Sequence, residues 1–282
     1  MSPIPAIPFY LAVACYLAAA GLVLRFLSMP EDRLFVLAKR AAAAGNTLLL
    51  AVFIYRWWRF GAVPFTGMGD SLNLFLVLCT GIMLTVQLRA EMRPLLVYYF
   101  PALAVMAIIS GLAGPRYLNE APKALNGLLL TAHVGLVFLS FALFFVASLT
   151  SAAYAAKAQR LKKLATGGFI GRLPSLDLLD STLFRLIAAG YLSFVLTAAL
   201  GLGWAFSARD LLGEYWYISP KIFLSLAMVA LYAVCFHGRG FGLLRGPNLA
   251  YLVVFGFTSL MAIYLVVGMF QVGGAEFWGN AS

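Results

Sequence analysis

An all-α integral membrane protein, a bundle of about eight transmembrane helices with both termini outside, is predicted by three features of this sequence. First, of 282 residues 63% are hydrophobic and only 11% charged, where soluble domains run about 45–50% apolar and about 25% charged. Second, the apolar residues gather into runs of ~20, the length of helix that crosses the ~30 Å hydrocarbon core of a bilayer. Third, the basic residues sit in short loops between those runs and divide unevenly between the two sides. No polar stretch is long enough to make a soluble domain, so residues 1–282 are read as a single polytopic membrane domain.

The runs follow one another along the chain. The first, 6–28, has no basic residue before it, unlike a secretory signal, and is read as a retained span. The second, 36–58, ends in the segment YRWWRF. The third and fourth, 71–89 and 94–113, are separated by a short basic link. The fifth, 126–156, is long enough to project beyond the bilayer as helix. The sixth, 182–206, follows the most basic loop, and the seventh and eighth are 219–238 and 247–270. With the N-terminus outside, the inner loops hold 14 of the 20 Lys and Arg residues, with the 157–180 loop contributing most. The outer side keeps six: Arg56, Arg59, Arg116, Lys123, Arg209 and Lys221. Positive charge stays on the cytoplasmic side, so both termini are placed outside. The net charge of +10 is therefore read as topology setting, and nucleic acid is excluded as a partner.

On that topology Trp57, Trp58, Trp204, Trp216 and Trp278 all fall at outer ends of spans. An aromatic belt decorates both interfaces, so a one-sided set of five points equally to a belt and to an outer aromatic site for a flat ligand. Only two histidines are present. His133 stands near the outer start of the fifth span and His237 near the inner end of the seventh, 17 residues after Pro220. At ~1.5 Å per residue that is about 25 Å of helix, so the two cannot share one ligand. Neutral imidazole is a good ligand for iron, against the plainer reading of each as a satisfied interfacial residue. The three cysteines lie inside apolar runs without a CxxC or CxxCH pattern, which fits buried packing residues and no zinc, redox-pair or haem-attachment motif. No GxSxG, HExxH or phosphate-cradling loop occurs, and no catalytic residue is assigned, so the chain is not read as an enzyme.

Several stretches together resemble the CcsA/CcmC cytochrome c assembly superfamily, which includes HemX-like membrane proteins. They are FGAVPFTGMGDSLNLFL, LLTAHVGLVFLSFALFFVASL, LPSLDLLDSTLFRLIAAGYLSFVLTAALGLGWAF and GEYWYISPKIFLSLAMVALYAVCFHGR, covering most of residues 60–270. The outer loop of haem-delivering members reads roughly WGxxWxWDPKE. The matching segment here is LGEYWYISPKI, which keeps Gly213, Tyr215, Trp216, Pro220 and Lys221 but has Ile218, Ser219 and Ile222 in place of the second tryptophan, the aspartate and the last acid. The family's outer histidine before that loop matches His133, and its inner histidine in a His-x-Arg setting matches His237. Its final outer histidine has no counterpart.

The resemblance implies haem as cofactor, His133 as the ligand of the haem iron, and a binding set of His133, His237, Trp57, Trp204 and Trp216. With one outer histidine, the iron would be five-coordinate or take another ligand, such as Met68, Met269 or a partner's residue. It also implies a bacterial-type cytoplasmic membrane, membrane-protein partners in a complex, and an apocytochrome as client. Two alternatives stay open at this point. One is a HemX-like regulator that reaches a soluble haem-biosynthesis enzyme through its inner loops; the other is a structural subunit without haem chemistry.

Overall fold

The computed structural model describes residues 6–29, 31–60, 68–88, 90–113, 128–163, 169–207 and 220–272. Among them all regular structure is helical. The α-helices are α1 (Ala6–Ser28), α2 (Asp32–Phe60), α3 (Met68–Val86), α4 (Leu96–Ala113), α5 (Leu128–Lys162), α6 (Leu176–Ser207), α7 (Pro220–Gly240) and α8 (Pro247–Val272). Short 3-10 turns at Ala90–Leu95 and Phe169–Arg172 precede α4 and α6. Each helix matches one of the eight apolar runs.

Several helices reach further than the runs because their ends are set by caps rather than by hydropathy. The α6 helix begins at Leu176, where Ser175 Oγ accepts a hydrogen bond from the Leu178 amide at 3.2 Å. This is the N-cap geometry that serine favours. Pro220 and Pro247 open α7 and α8, at the first helical position where a missing N–H costs nothing. Between those two helices the chain reverses through Gly242 (φ +77°) and Gly246 (φ +64°), left-handed conformations that residues with a β-carbon resist.

Among the described residues, five segments are long and apolar enough to cross a membrane: Ala6–Ser28, Asp32–Arg59, Glu91–Leu112, Thr131–Lys162 and Leu176–Ser207. Only 22% to 44% of each is buried inside the protein. Much of the remainder presents apolar side chains outward, among them Leu11, Ile54, Val105 and Leu196. Water would penalise such a surface by roughly 25 cal/mol per Å²; lipid accepts it. The protein is a multi-pass membrane protein.

The helices close into two rings of four in chain order. In the first, α1, α2, α3 and α4 pack each on the next and α4 returns to α1. In the second, α5, α6, α7 and α8 do the same and α8 returns to α5. The rings meet where α5 lies against α3 and α4. Small residues let the backbones approach: Ala12 and Ala19 of α1, with Ala38 and Ala42 of α2, are fully buried.

Hydrogen bonds across helices supply the directional contacts that apolar packing lacks. Tyr16 and Thr80 pair their hydroxyls at 3.0 Å between α1 and α3. Ser110 of α4 donates to Asn73 Oδ1 of α3 at 2.8 Å. Tyr99 of α4 and Thr150 of α5 join the two rings at 2.8 Å. At one end of the first ring Arg56 of α2 forms a buried ion pair with Asp70 in the first turn of α3.

Candidate functional site

His133 occupies the second turn of α5 and is partly buried against α6. Its Nδ1 lies 2.8 Å from the Thr197 carbonyl oxygen. A carbonyl oxygen only accepts, so Nδ1 is the donor, and in the neutral ring that leaves the lone pair on Nε2. The Thr197 hydroxyl is turned elsewhere and donates to the Ser193 carbonyl at 2.9 Å. Four residues beyond Thr197, Gly201 leaves room for the ring; a β-carbon there would stand 2.6 Å from His133 Cε1 and 2.9 Å from Nδ1. Thr197, Gly201 and Trp204 recur at helical spacing and share one face of α6. Trp204, partly buried, stands one turn beyond Gly201, towards the helix end that leads into the 208–219 loop.

Of the other residues singled out in the sequence, His237 stands apart, in the last turn of α7. Tyr191 meets its ring edge-on at 5.9 Å and Phe241 lies nearly parallel at 6.1 Å. Its neighbour Arg239 is held by an ion pair to Asp180 of α6 and rests over the Phe184 ring at 5.6 Å. Trp57 belongs to the first ring, on α2, whose main neighbours are α1 and α3. It is half-exposed and edge-on to Phe53 at 6.5 Å. Trp216 lies outside the described residues, as do Trp278 and the LGEYWYIS part of the outer loop. The structure thus brings His133 and the Trp204 face of α6 together and puts His237 and Trp57 elsewhere. Among the described residues no group of three or more His, Cys, Asp or Glu side chains is placed to hold a metal ion.

Aromatic side chains fill the second ring between the two histidines. Phe194 meets Phe141 at 6.1 Å and Phe144 at 6.0 Å, and Phe144 stacks on Tyr232 at 3.5 Å with the planes 9° apart. Deeper in, Phe236 stacks on Phe184 and Tyr191 at 5.7 and 5.3 Å. The Tyr232 hydroxyl is buried without a hydrogen-bond partner among the described residues.

Two features here escape sequence reading. Arg56 and Asp70 look like interfacial loop charges in the sequence, yet their side chains are only 7% and 3% exposed. The signal was available: opposite charges close a helical hairpin whose ends must meet. Gly201 gives no signal by itself, because GLG in an apolar span reads as general small-residue packing.

A family profile described as "Cytochrome C assembly protein" matches residues 46–273, which takes in all the elements just described except α1 and the start of α2. The chain belongs to the cytochrome c assembly protein family. Within it, "Cytochrome c biogenesis protein CcsA" of Synechococcus sp. (strain CC9605) is 28% identical over 298 residues, covering 94% of this chain and 96% of the relative. The protein of the same description from Parasynechococcus marenigrum (strain WH8102) is 26% identical over 285 residues, covering 92% of each. That from Prochlorococcus marinus (strain MIT 9303) is 28% identical over 260 residues, covering 82% of this chain and 80% of the relative. The expected superfamily is therefore the right one, and the protein is a membrane component of cytochrome c-type biogenesis.

Proposed function

We propose that this protein handles haem in cytochrome c assembly and engages it at the outer end of the second ring, through Nε2 of His133. The observation that carries this reading is the hydrogen bond from His133 Nδ1 to the Thr197 carbonyl. Histidines that ligate metals almost always give their other ring N–H to a carbonyl or carboxylate, which fixes the tautomer and raises the basicity of the ligating nitrogen. The residues therefore fit the group. Bound haem supplies the iron that accepts the imidazole and the vinyl groups that an apocytochrome client would use. Everything else falls to the chain. The α6 backbone orients His133, and Trp204, on the same face of α6, offers a flat apolar ring; Trp216 is assigned to the same set from the outer-loop sequence, and Trp57 lies on the first ring as an outer aromatic. His237, with Tyr191 and Phe241 about its ring, makes a second, inner station about 25 Å along the helix direction.

This reading comes with a topology: eight spans of one polytopic domain, both termini outside, and the 157–180 loop inside a bacterial-type cytoplasmic membrane. It also comes with membrane-protein partners, because the described residues include no large extramembrane domain to hold a client.

Titration of the purified protein with haem tests the reading. Wild type develops a Soret band, His133→Ala removes it or weakens it at least tenfold, and His237→Ala leaves the outer-site spectrum nearly intact. No band in wild type, together with capture of a soluble haem-biosynthesis enzyme by the 157–180 loop, would replace this function with the regulatory one.

A further inference from the structure

Two aromatic rings of α5 enter α6 at glycines. His133 lies over Gly201 and Phe144 over Gly190, where an added β-carbon would stand 2.6 Å from His133 Cε1 and 2.5 Å from Phe144 Cε1. Eleven residues separate 133 from 144, and eleven separate 190 from 201. The antiparallel pair therefore repeats one packing device after about three turns, or ~16 Å. The consequences differ. Phe144 only fills space, and its ring has no direction to get wrong. His133 carries two inequivalent nitrogens, and its Nδ1 reaches the Thr197 carbonyl across the space that Gly201 leaves open.

We infer that Gly201 is a positioning residue: by keeping α6 bare beneath His133 it gives the Nδ1 proton to the Thr197 carbonyl and leaves Nε2 as the ligating nitrogen. This rests on the haem reading only for what Nε2 meets. The tautomer itself is a property of the haem-free chain, since a neutral imidazole is protonated on whichever nitrogen has the acceptor. Alanine at 201 would press on the ring at both Cε1 and Nδ1 and lift it away from Thr197. The Thr197 side chain is not part of the device, because its hydroxyl serves the Ser193 carbonyl. Gly190 supplies an internal control: alanine there disturbs the same interface three turns away without touching the histidine.

The experiment is ¹⁵N NMR of haem-free, full-length protein in detergent, labelled at the histidine ring nitrogens and held above the imidazole titration range. Only two histidines are present, so His237→Ala assigns the spectrum. Wild type should show His133 protonated at Nδ1 and bare at Nε2. Gly190→Ala and Thr197→Val should keep that signature, and Gly201→Ala should lose it. Haem titration of the same samples should find affinity lowered at least tenfold in Gly201→Ala and little changed in Gly190→Ala. A wild-type His133 protonated at Nε2 overturns the inference, as does an unchanged His133 signature in Gly201→Ala. The wild-type spectrum decides the tautomer even where Gly201→Ala fails to assemble. If the tautomers come out as expected and no sample binds haem, the positioning role stands and the haem reading falls.

Discussion

Removing one partner of the Arg56–Asp70 pair should cost far more than removing both. The two side chains are only 7% and 3% exposed, and they tie α2 to the first turn of α3. Asn73, one turn along α3, shares the cleft that they line together with Leu49, Val52 and Phe53. In Arg56→Met the Asp70 carboxylate stays in this apolar pocket without its cation. Stranding a buried charge costs about 3–5 kcal/mol, which is roughly 10² to 10³-fold or more in the folding equilibrium. Asp70→Leu strands the guanidinium in the same way, tempered by the other contacts Arg56 makes. The double variant strands neither charge of the pair and replaces both with apolar volume, a change that is often neutral or stabilising. Reversible unfolding in mixed micelles, followed by tryptophan fluorescence, measures all three. The expected pattern is two destabilised single variants and a double variant within about 1–2 kcal/mol of wild type, a strongly non-additive cycle. Single variants as stable as wild type would show that the pair is solvated. A double variant as unstable as the sum of the singles would show that the charges act independently. Either result refutes the reasoning.

Tyr232→Phe removes a buried hydroxyl that has no partner while keeping the stack on Phe144, and should raise stability by about 1–2 kcal/mol in the same assay. A loss of stability would mean that the hydroxyl has a partner in the membrane. Single cysteines at Ser2 and Thr166, in a background free of Cys15, Cys79 and Cys235, report topology through an impermeant thiol reagent. Ser2→Cys should label in intact cells and Thr166→Cys only after lysis; the reverse pattern would invert the protein in its membrane.

The eight helices were legible as apolar runs because a helix that faces lipid must stay apolar for about 20 residues. Their ends were less so. Ser175 caps α6 in the segment read as inner loop, and α5 runs on to Lys162, beyond its apolar run, where hydropathy carries no signal. There Lys157 Nζ donates to the Leu173 and Pro174 carbonyls at 2.5 and 2.7 Å and ties the inner loop back onto α5. Nor did periodicity reveal which helix packs on which. Helices that are apolar all round have no single buried stripe, and their partners are chosen by small residues and isolated hydrogen bonds. Tyr16 with Thr80 and Tyr99 with Thr150 are such choices. The histidines could be singled out because only two exist, and their separation along the helices followed from residue counts. Lateral position did not. Trp57 and Trp204 share a predicted side of the membrane but sit on different rings, a distinction that charge asymmetry, which reads only height, cannot make. The Thr197 carbonyl as the partner of His133 had no sequence signal, because every residue carries a carbonyl.

Chemical rescue tests most directly whether His133 is the proposed outer iron ligand. His133→Gly empties the space beside Gly201 and Thr197 and should abolish the Soret band. Added imidazole should restore it in a saturable way, since the free ring can take the same place and accept the same role. A band in His133→Gly equal to wild type without imidazole, or a lost band that imidazole does not restore, would contradict the assignment.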